Sequence, residues 1–124
     1  MRKKPRVLIA DDHPDLVKAI ARVLVLDYDV VGVVADGSDV LEAAQRLRPD
    51  VIVLDLSLPN VNSFEACRQI TQAEPDTKVI VFTAMDDPYL RQRALEAGAS
   101  AFVCKVAGDC DLLATMNRLF AEPV

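Results

Sequence analysis

The segment Val7-Leu8-Ile9-Ala10-Asp11-Asp12-His13-Pro14, VLIADDHP, changes character abruptly at its midpoint. Four apolar residues run without a polar interruption, two carboxylates follow side by side, and Pro14 comes next but one. An unbroken apolar run of this length is the pattern of a strand buried on both faces, because a strand with one wet face alternates. Pro14 has no amide hydrogen and a preset φ, so it suits the first turn of a helix. The segment therefore reads as buried strand, polar loop, helix. The paired acids are the puzzle. Carboxylates gathered by a fold repel one another and lose solvation, and Asp15 adds a third just downstream. Something positive is meant to sit among them.

The same strand pattern recurs at Val51 to Leu54, Val79 to Phe82 and Ala101 to Cys104, and less cleanly at Val30 to Ala35, where Gly32 interrupts it. Between these runs lie segments with helical periodicity. Leu16, Ile20, Val23 and Leu24 share one face of the first, and Ser38 is placed to cap the second, whose face carries Leu41, Ala44 and Leu47. The third spans residues 63–73 and turns Phe64, Cys67 and Ile70 inward. The fourth runs over 88–97, presents Leu90, Ala94 and Leu95, and stops at Gly98. The fifth covers 109–120 with Leu112, Met116 and Leu119 inward. Five buried strands alternating with five helices define a doubly wound α/β domain with a parallel sheet. Residues 1–124 make one such domain, long enough for a single core.

Composition narrows the function. A net charge of −5 is at odds with a nucleic-acid-binding surface, which needs a basic patch to neutralise phosphates. No apolar run approaches the roughly 18 residues that span a bilayer, and the basic start MRKKPRVLIA is no signal peptide, its apolar stretch ending at Asp11. Cys67, Cys104 and Cys110 form neither a CxxC pair nor an even set, so they read as reduced thiols of a cytoplasmic protein, each a small buried apolar residue.

In a doubly wound sheet, ligands bind outside the carboxyl ends of the strands, where the winding reverses. Asp11 and Asp12 follow the first strand, Asp55 the third, Thr83 the fourth and Lys105 the fifth. If the first and third strands are neighbours, the three carboxylates converge, with a hydroxyl and an ammonium across from them. A hard divalent cation resolves the repulsion, and Mg²⁺ needs only a few carboxylates because it keeps waters or phosphate oxygens. Cation, ammonium and hydroxyl together suit the oxygens of a transferring phosphoryl group. A central carboxylate is then the nucleophile, and Asp55 is the candidate, Asp11 and Asp12 being better placed as metal ligands. His13, the only histidine, is expected to lie exposed beside the site.

With these residues in place the sequence resembles the receiver domain of bacterial response regulators over almost its whole length. The resemblance rests on Asp11-Asp12, on DLSLPNVNSFEACRQI from Asp55, on Thr83, on ALEAGASAFVCK ending at Lys105, and on the closing DLLATMNRL. TAMDDPYLRQRALEAGASAFVCK and AGDCDLLATMNRL are most similar to the NarL/FixJ-type branch, whose receivers usually precede a DNA-binding domain. The resemblance implies a flavodoxin-like fold with strand order 2-1-3-4-5. It also implies a phosphoryl group accepted on Asp55 from a sensor histidine kinase, with Mg²⁺ held by Asp11, Asp12, Asp55 and the backbone carbonyl of Ser57. Thr83 and Lys105 would contact the phosphoryl group, and Phe102 would be the aromatic switch position. Phosphorylation would alter the face built from the fourth helix, fifth strand and fifth helix, controlling a transcriptional output domain that this chain does not include. Homodimerisation would use that face or the first and fifth helices, and the sequence does not choose between them. Such a module is not a turnover enzyme, although it promotes its own phosphorylation and dephosphorylation. Neither nucleic acid nor membrane is an expected partner of this domain.

Three departures from the family pattern carry expectations. Ser63 replaces a common glycine, Phe102 lacks the hydroxyl of the common tyrosine, and Val106 follows Lys105 where proline is frequent. A trans Lys105–Val106 peptide is expected, with Gly108 absorbing the backbone change. Ser57 and Met85, two residues beyond Asp55 and Thr83, should border the water that hydrolyses the phosphoaspartate, and Met85 should slow that step. A haloacid-dehalogenase-type phosphatase would need an aspartate where Ser57 stands. A nucleotide or flavin module would need a phosphate-cradling loop where Asp11-Asp12 stands. A phosphorylation-independent receiver, acting only as an interaction module, would usually have lost an acid, the threonine or the lysine, and all are present.

Overall fold

The computed structural model describes residues 4–105 and 109–121. The Lys105–Val106 peptide, Gly108 and the side chain of Cys110 lie outside the described residues, so those expectations stay untested. The order of elements is β1 (Arg6–Ala10), α1 (Pro14–Leu24), β2 (Asp29–Val34), a 3₁₀ turn (Gly37–Asp39), α2 (Val40–Leu47), β3 (Val51–Leu54), α3 (Ser63–Ala73), β4 (Lys78–Thr83), α4 (Pro88–Glu96), β5 (Ala101–Cys104) and α5 (Asp109–Leu119). The strands form one parallel sheet in the order β2-β1-β3-β4-β5, the flavodoxin-like arrangement expected.

The continuous apolar runs are explained by the two cores. Side chains alternate across a strand, so Leu8, Ala10, Ile52, Leu54, Val79 and Val81 enter one cluster with residues of α2, α3 and α4. Their neighbours Val7, Ile9, Val51, Val53, Ile80 and Phe82 enter the other with Ile20, Leu24, Leu112 and Met116 of α1 and α5. Every residue of β3 is buried, which leaves no position for a polar one. Burying each such side chain contributes about 1.5–3 kcal/mol.

Strand β2 is the irregular one. Val7 pairs with Val30 but Leu8 pairs with Gly32, so Val31 is an extra residue that bulges the ladder. A Cβ at Gly32 would stand 2.6 Å from Leu47 Cδ1, so the glycine makes room for α2. Ser38 does not cap α2, whose N-cap residue Asp39 makes no side-chain capping bond; it lies in the 3₁₀ turn, capped by the Asp36 carboxylate, which accepts from the Ser38 amide and hydroxyl. Asn62 caps α3, accepting from the amides of Phe64 and Glu65. Helix α4 buries Ala94 and packs Leu90 against the core as expected, but leaves Leu95 48% exposed.

A cluster of acids and one ammonium at the carboxyl edge of the sheet

Strand register delivers the site. Ala10 pairs with Leu54, and the next residue continues the ladder with a bond from the Asp55 amide to the Ala10 carbonyl at 3.0 Å. Asp11 and Asp55 therefore leave adjacent strands at the same level. Thr83 pairs with Cys104, so Lys105 lies one residue beyond it on the neighbouring strand.

The side chains close on one another. Lys105 Nζ donates to Asp11 Oδ2 at 2.8 Å and stands 3.4 Å from Asp55 Oδ2. Asp11 and Asp55 are 3% and 1% exposed, so these are buried charges held together by an ammonium that is itself 13% exposed. Asp55 Oδ1 accepts from the Ser57 amide at 3.1 Å and the Ser57 hydroxyl at 2.9 Å. Asp55 Oδ2 has no hydrogen-bond partner: Lys105 faces it as a charge, without a hydrogen bond. The Thr83 hydroxyl is buried and accepts from the Met85 amide at 3.3 Å. Asp12, His13, Ser57, Thr83, Met85 and Lys105 line an open cleft of about 680 Å³ beside these groups.

Burial alone would push the Asp11 carboxyl up, but hydrogen bonds from Lys105 and His13 outweigh it, so Asp11 lies below the ordinary carboxylate range. The hydrogen bond and charge of Asp11 raise His13 above the ordinary histidine value, against the opposing charge of Lys105.

All five polar residues read from the strand ends are gathered here. Two features were not legible. Although its side chain is 58% exposed as expected, His13 does not merely stand beside the site: Nδ1 lies 2.7 Å from Asp11 Oδ1 and 3.2 Å from Asp12 Oδ1. Ser57 contributes its amide and hydroxyl to Asp55, where the sequence pointed only to its carbonyl. Ser63, standing for the common glycine, is buried and donates to the carbonyls of Asp55 and Leu56, tying α3 to the loop after β3. Phe102 is already buried, with the Arg91 guanidinium 5.1 Å from its ring centre.

The residues present fit a divalent cation. One ligand atom each from Asp11, Asp12, His13 and Asp55 lies within 4.8 Å of every other, and the three carboxylates among them are the hard oxygen donors such an ion takes.

The comparisons with known proteins agree with a doubly wound sheet that carries acids, a hydroxyl and a lysine at its carboxyl edge. The response regulator receiver domain family model matches residues 7–117, and the chain belongs to that family. Response regulator GacA of Pseudomonas aeruginosa is 35% identical over 119 residues, covering 94% of this chain and 55% of GacA. The transcriptional regulatory protein DegU of Brevibacillus brevis is 33% identical over 121 residues, covering 96% of this chain and 51% of DegU. The chain thus spans about half the length of these curated relatives. Among solved structures, the signal receiver domain of the putative response regulator NarL from Mycobacterium tuberculosis superimposes with a TM-score of 0.88 at 29% identity, covering 95% of this chain and 97% of that one. Receiver domains of this family are signalling modules of two-component systems. Among the described residues no helix is long and apolar enough to cross a membrane.

Proposed function

We propose that this domain is a phosphorylatable receiver that accepts a phosphoryl group on Asp55 Oδ2 from the phosphohistidine of a sensor histidine kinase. The observation that carries the reading is that Oδ2: a buried carboxylate oxygen with no hydrogen bond, facing an ammonium, while its twin is held by Ser57. Holding Oδ1 fixes the carboxylate plane and leaves the other oxygen free to attack phosphorus. The new P–O bond forms as the donor's P–N bond breaks, and the histidine departs with its electron pair. Asp11, Asp12, Asp55 and the Ser57 carbonyl would hold Mg²⁺, which when bound neutralises charge on the phosphoryl oxygens. Lys105 shifts from pairing carboxylates to pairing the incoming phosphoryl oxygen, and the Thr83 hydroxyl turns from the Met85 amide to donate to it.

Because Phe102 is already buried, its response to Thr83 is a resettling within the core that alters the surface of α4, β5 and α5, with Arg91 carried along. That surface controls a transcriptional output and homodimerisation, in the cytoplasm, and the domain turns over no substrate beyond its own phosphoaspartate. Incubation with acetyl phosphate and Mg²⁺ tests the reading by intact mass: one phosphate should add, and none after EDTA or in Asp55→Asn. Full labelling of Asp55→Asn would overturn the assignment, and a wild-type chain that never labels would be a phosphorylation-independent interaction module.

A further inference from the structure

The hydroxyl of Ser63 bonds to backbone outside its own helix. Asn62 already caps α3, its side chain accepting from the amides of Phe64 and Glu65, so Ser63 is not needed for that task. Its Oγ, in a residue only 4% exposed, reaches back to the Asp55 carbonyl at 3.1 Å and the Leu56 carbonyl at 3.3 Å, sharing one proton between them. Thr71, the other hydroxyl residue of α3, behaves differently: it donates to the carbonyls of Cys67, Arg68 and Ala97, none of them in this loop.

One of the two carbonyls that Ser63 holds leads directly to the phosphoacceptor. The Leu56 carbonyl and the Ser57 amide belong to the same planar peptide group, and the Ser57 amide donates to Asp55 Oδ1 at 3.1 Å. Holding the oxygen end of that plane sets the direction of its N–H. A carbonyl that accepts a hydrogen bond also makes the N–H of its own peptide a stronger donor. The contacts therefore run from the α3 hydroxyl, through one peptide, to the carboxylate oxygen whose anchoring leaves Oδ2 to attack.

We propose that Ser63 is a positioning residue for phosphoryl transfer, orienting the Leu56–Ser57 peptide and, through it, the plane of the Asp55 carboxylate. The inference rests on the proposed phosphoacceptor role of Asp55 and adds a determinant of its rate that does not line the cleft. Ser63 touches no reacting atom, and the Ser57 hydroxyl holds Oδ1 at 2.9 Å without its help, so losing the Ser63 hydroxyl slows the transfer rather than stopping it. The Ser57 carbonyl, proposed as the Mg²⁺ ligand, belongs to the next peptide group, which Ser63 does not bond. Maximal rate and Mg²⁺ affinity should therefore separate.

The experiment compares Ser63→Ala with wild type on the full chain, with Thr71→Val as the control that deletes an α3 hydroxyl away from the loop. At saturating acetyl phosphate and Mg²⁺, Ser63→Ala should label Asp55 about threefold to tenfold more slowly, the scale of one neutral hydrogen bond, while the Mg²⁺ concentration for half-maximal rate moves by less than about twofold. In EDTA, with no phosphodonor, the Ser57 amide proton of Ser63→Ala should move upfield and exchange faster, and neither change should appear in Thr71→Val. A labelling rate equal to wild type, or an unmoved Ser57 amide, overturns the proposal. Equal slowing in Thr71→Val overturns it too, because the effect would then be one of helix stability. Should the alanine variant fold poorly, Ser63→Gly, which restores the common glycine, carries the same test. Labelling of wild type and Ser63→Ala at one rate would leave the proposed function standing, whereas a wild-type chain that never labels refutes both.

Discussion

Replacing Lys105 with methionine keeps the length of the stem and removes only the charge, so it isolates what the ammonium does for the buried acids. At 2.8 Å and 3.4 Å from Asp11 and Asp55, the attractions are about 6 and 5 kcal/mol at an effective dielectric constant of about 20. Desolvation of three buried charges cancels much of that gain. What the substitution measures is the cost of leaving carboxylates uncompensated, which for buried pairs is about 3–5 kcal/mol. Urea unfolding in EDTA near neutral pH should therefore show Lys105→Met less stable by about that amount. The pH dependence has a definite sign. Asp11 sits below its ordinary value of 3.8 in the folded protein, so its stabilising contribution is present above that value and is lost as pH falls through the folded pKa. In the variant the lowering by Lys105 is gone, and protonation of Asp11 relieves the repulsion sooner. The gap between wild type and variant should thus be widest near neutrality and close in acid. A saturating divalent cation should narrow it as well if the variant binds the ion more tightly than wild type, by about 1.4 kcal/mol for each tenfold difference in Kd. A loss below about 1 kcal/mol near neutral pH, or a gap that does not close in acid, would refute the view that Lys105 holds the acids together.

Met85 is half-exposed at the cleft and offers no group to orient water. Met85→Gln and Met85→Glu should shorten the phosphoaspartate lifetime measured by phosphate release, and an unchanged or longer lifetime would remove Met85 from that path. Burial pushes the Cys67 thiol up to about 11, so in a Cys110→Ser background iodoacetamide should modify the half-buried Cys104 in the native protein and reach Cys67 only on unfolding. Gly98 has a φ of +105°, and a Cβ there would stand 2.5 Å from Thr71 Oγ1. Gly98→Ala should cost about 1–3 kcal/mol in urea unfolding, and a neutral substitution would show that Thr71 yields. Beryllofluoride should move amide resonances of Tyr89, Arg91 and Phe102, whereas changes confined to the Asp55 loop would exclude coupling to α4 and β5.

How much of this was legible depends on which forces write themselves into local sequence. A parallel strand buried on both faces has no tolerance for a polar residue, so β1, β3 and β4 announced themselves as unbroken apolar runs, and the residue after each run became a site candidate by topology alone. Strand β2 lies at the sheet edge, where partial burial relaxes that demand; it bulges at Val31, and the room that Gly32 leaves for Leu47 involves residues 15 apart in sequence. Helix α4 misled for a related reason: with Ala94 its only fully buried residue, its apolar periodicity is too weak to say that Leu95 faces out. The site divides along the same line. Asp11, Asp55, Thr83 and Lys105 were found because their backbones are placed by strand ends, and a short polar side chain there has few places to go. His13 lies exposed beside the site as expected, but its hydrogen bond to Asp11 depends on a torsion that spacing does not show. From the same backbone position the imidazole could point to solvent, and most of it does. Only the convergence of Asp11, Asp12 and Asp55, delivered by two strands 44 residues apart in sequence, gives its Nδ1 a reason to turn inward. Residues placed by secondary structure can be read from spacing. Residues placed by the electric field of the finished site have to be seen in it.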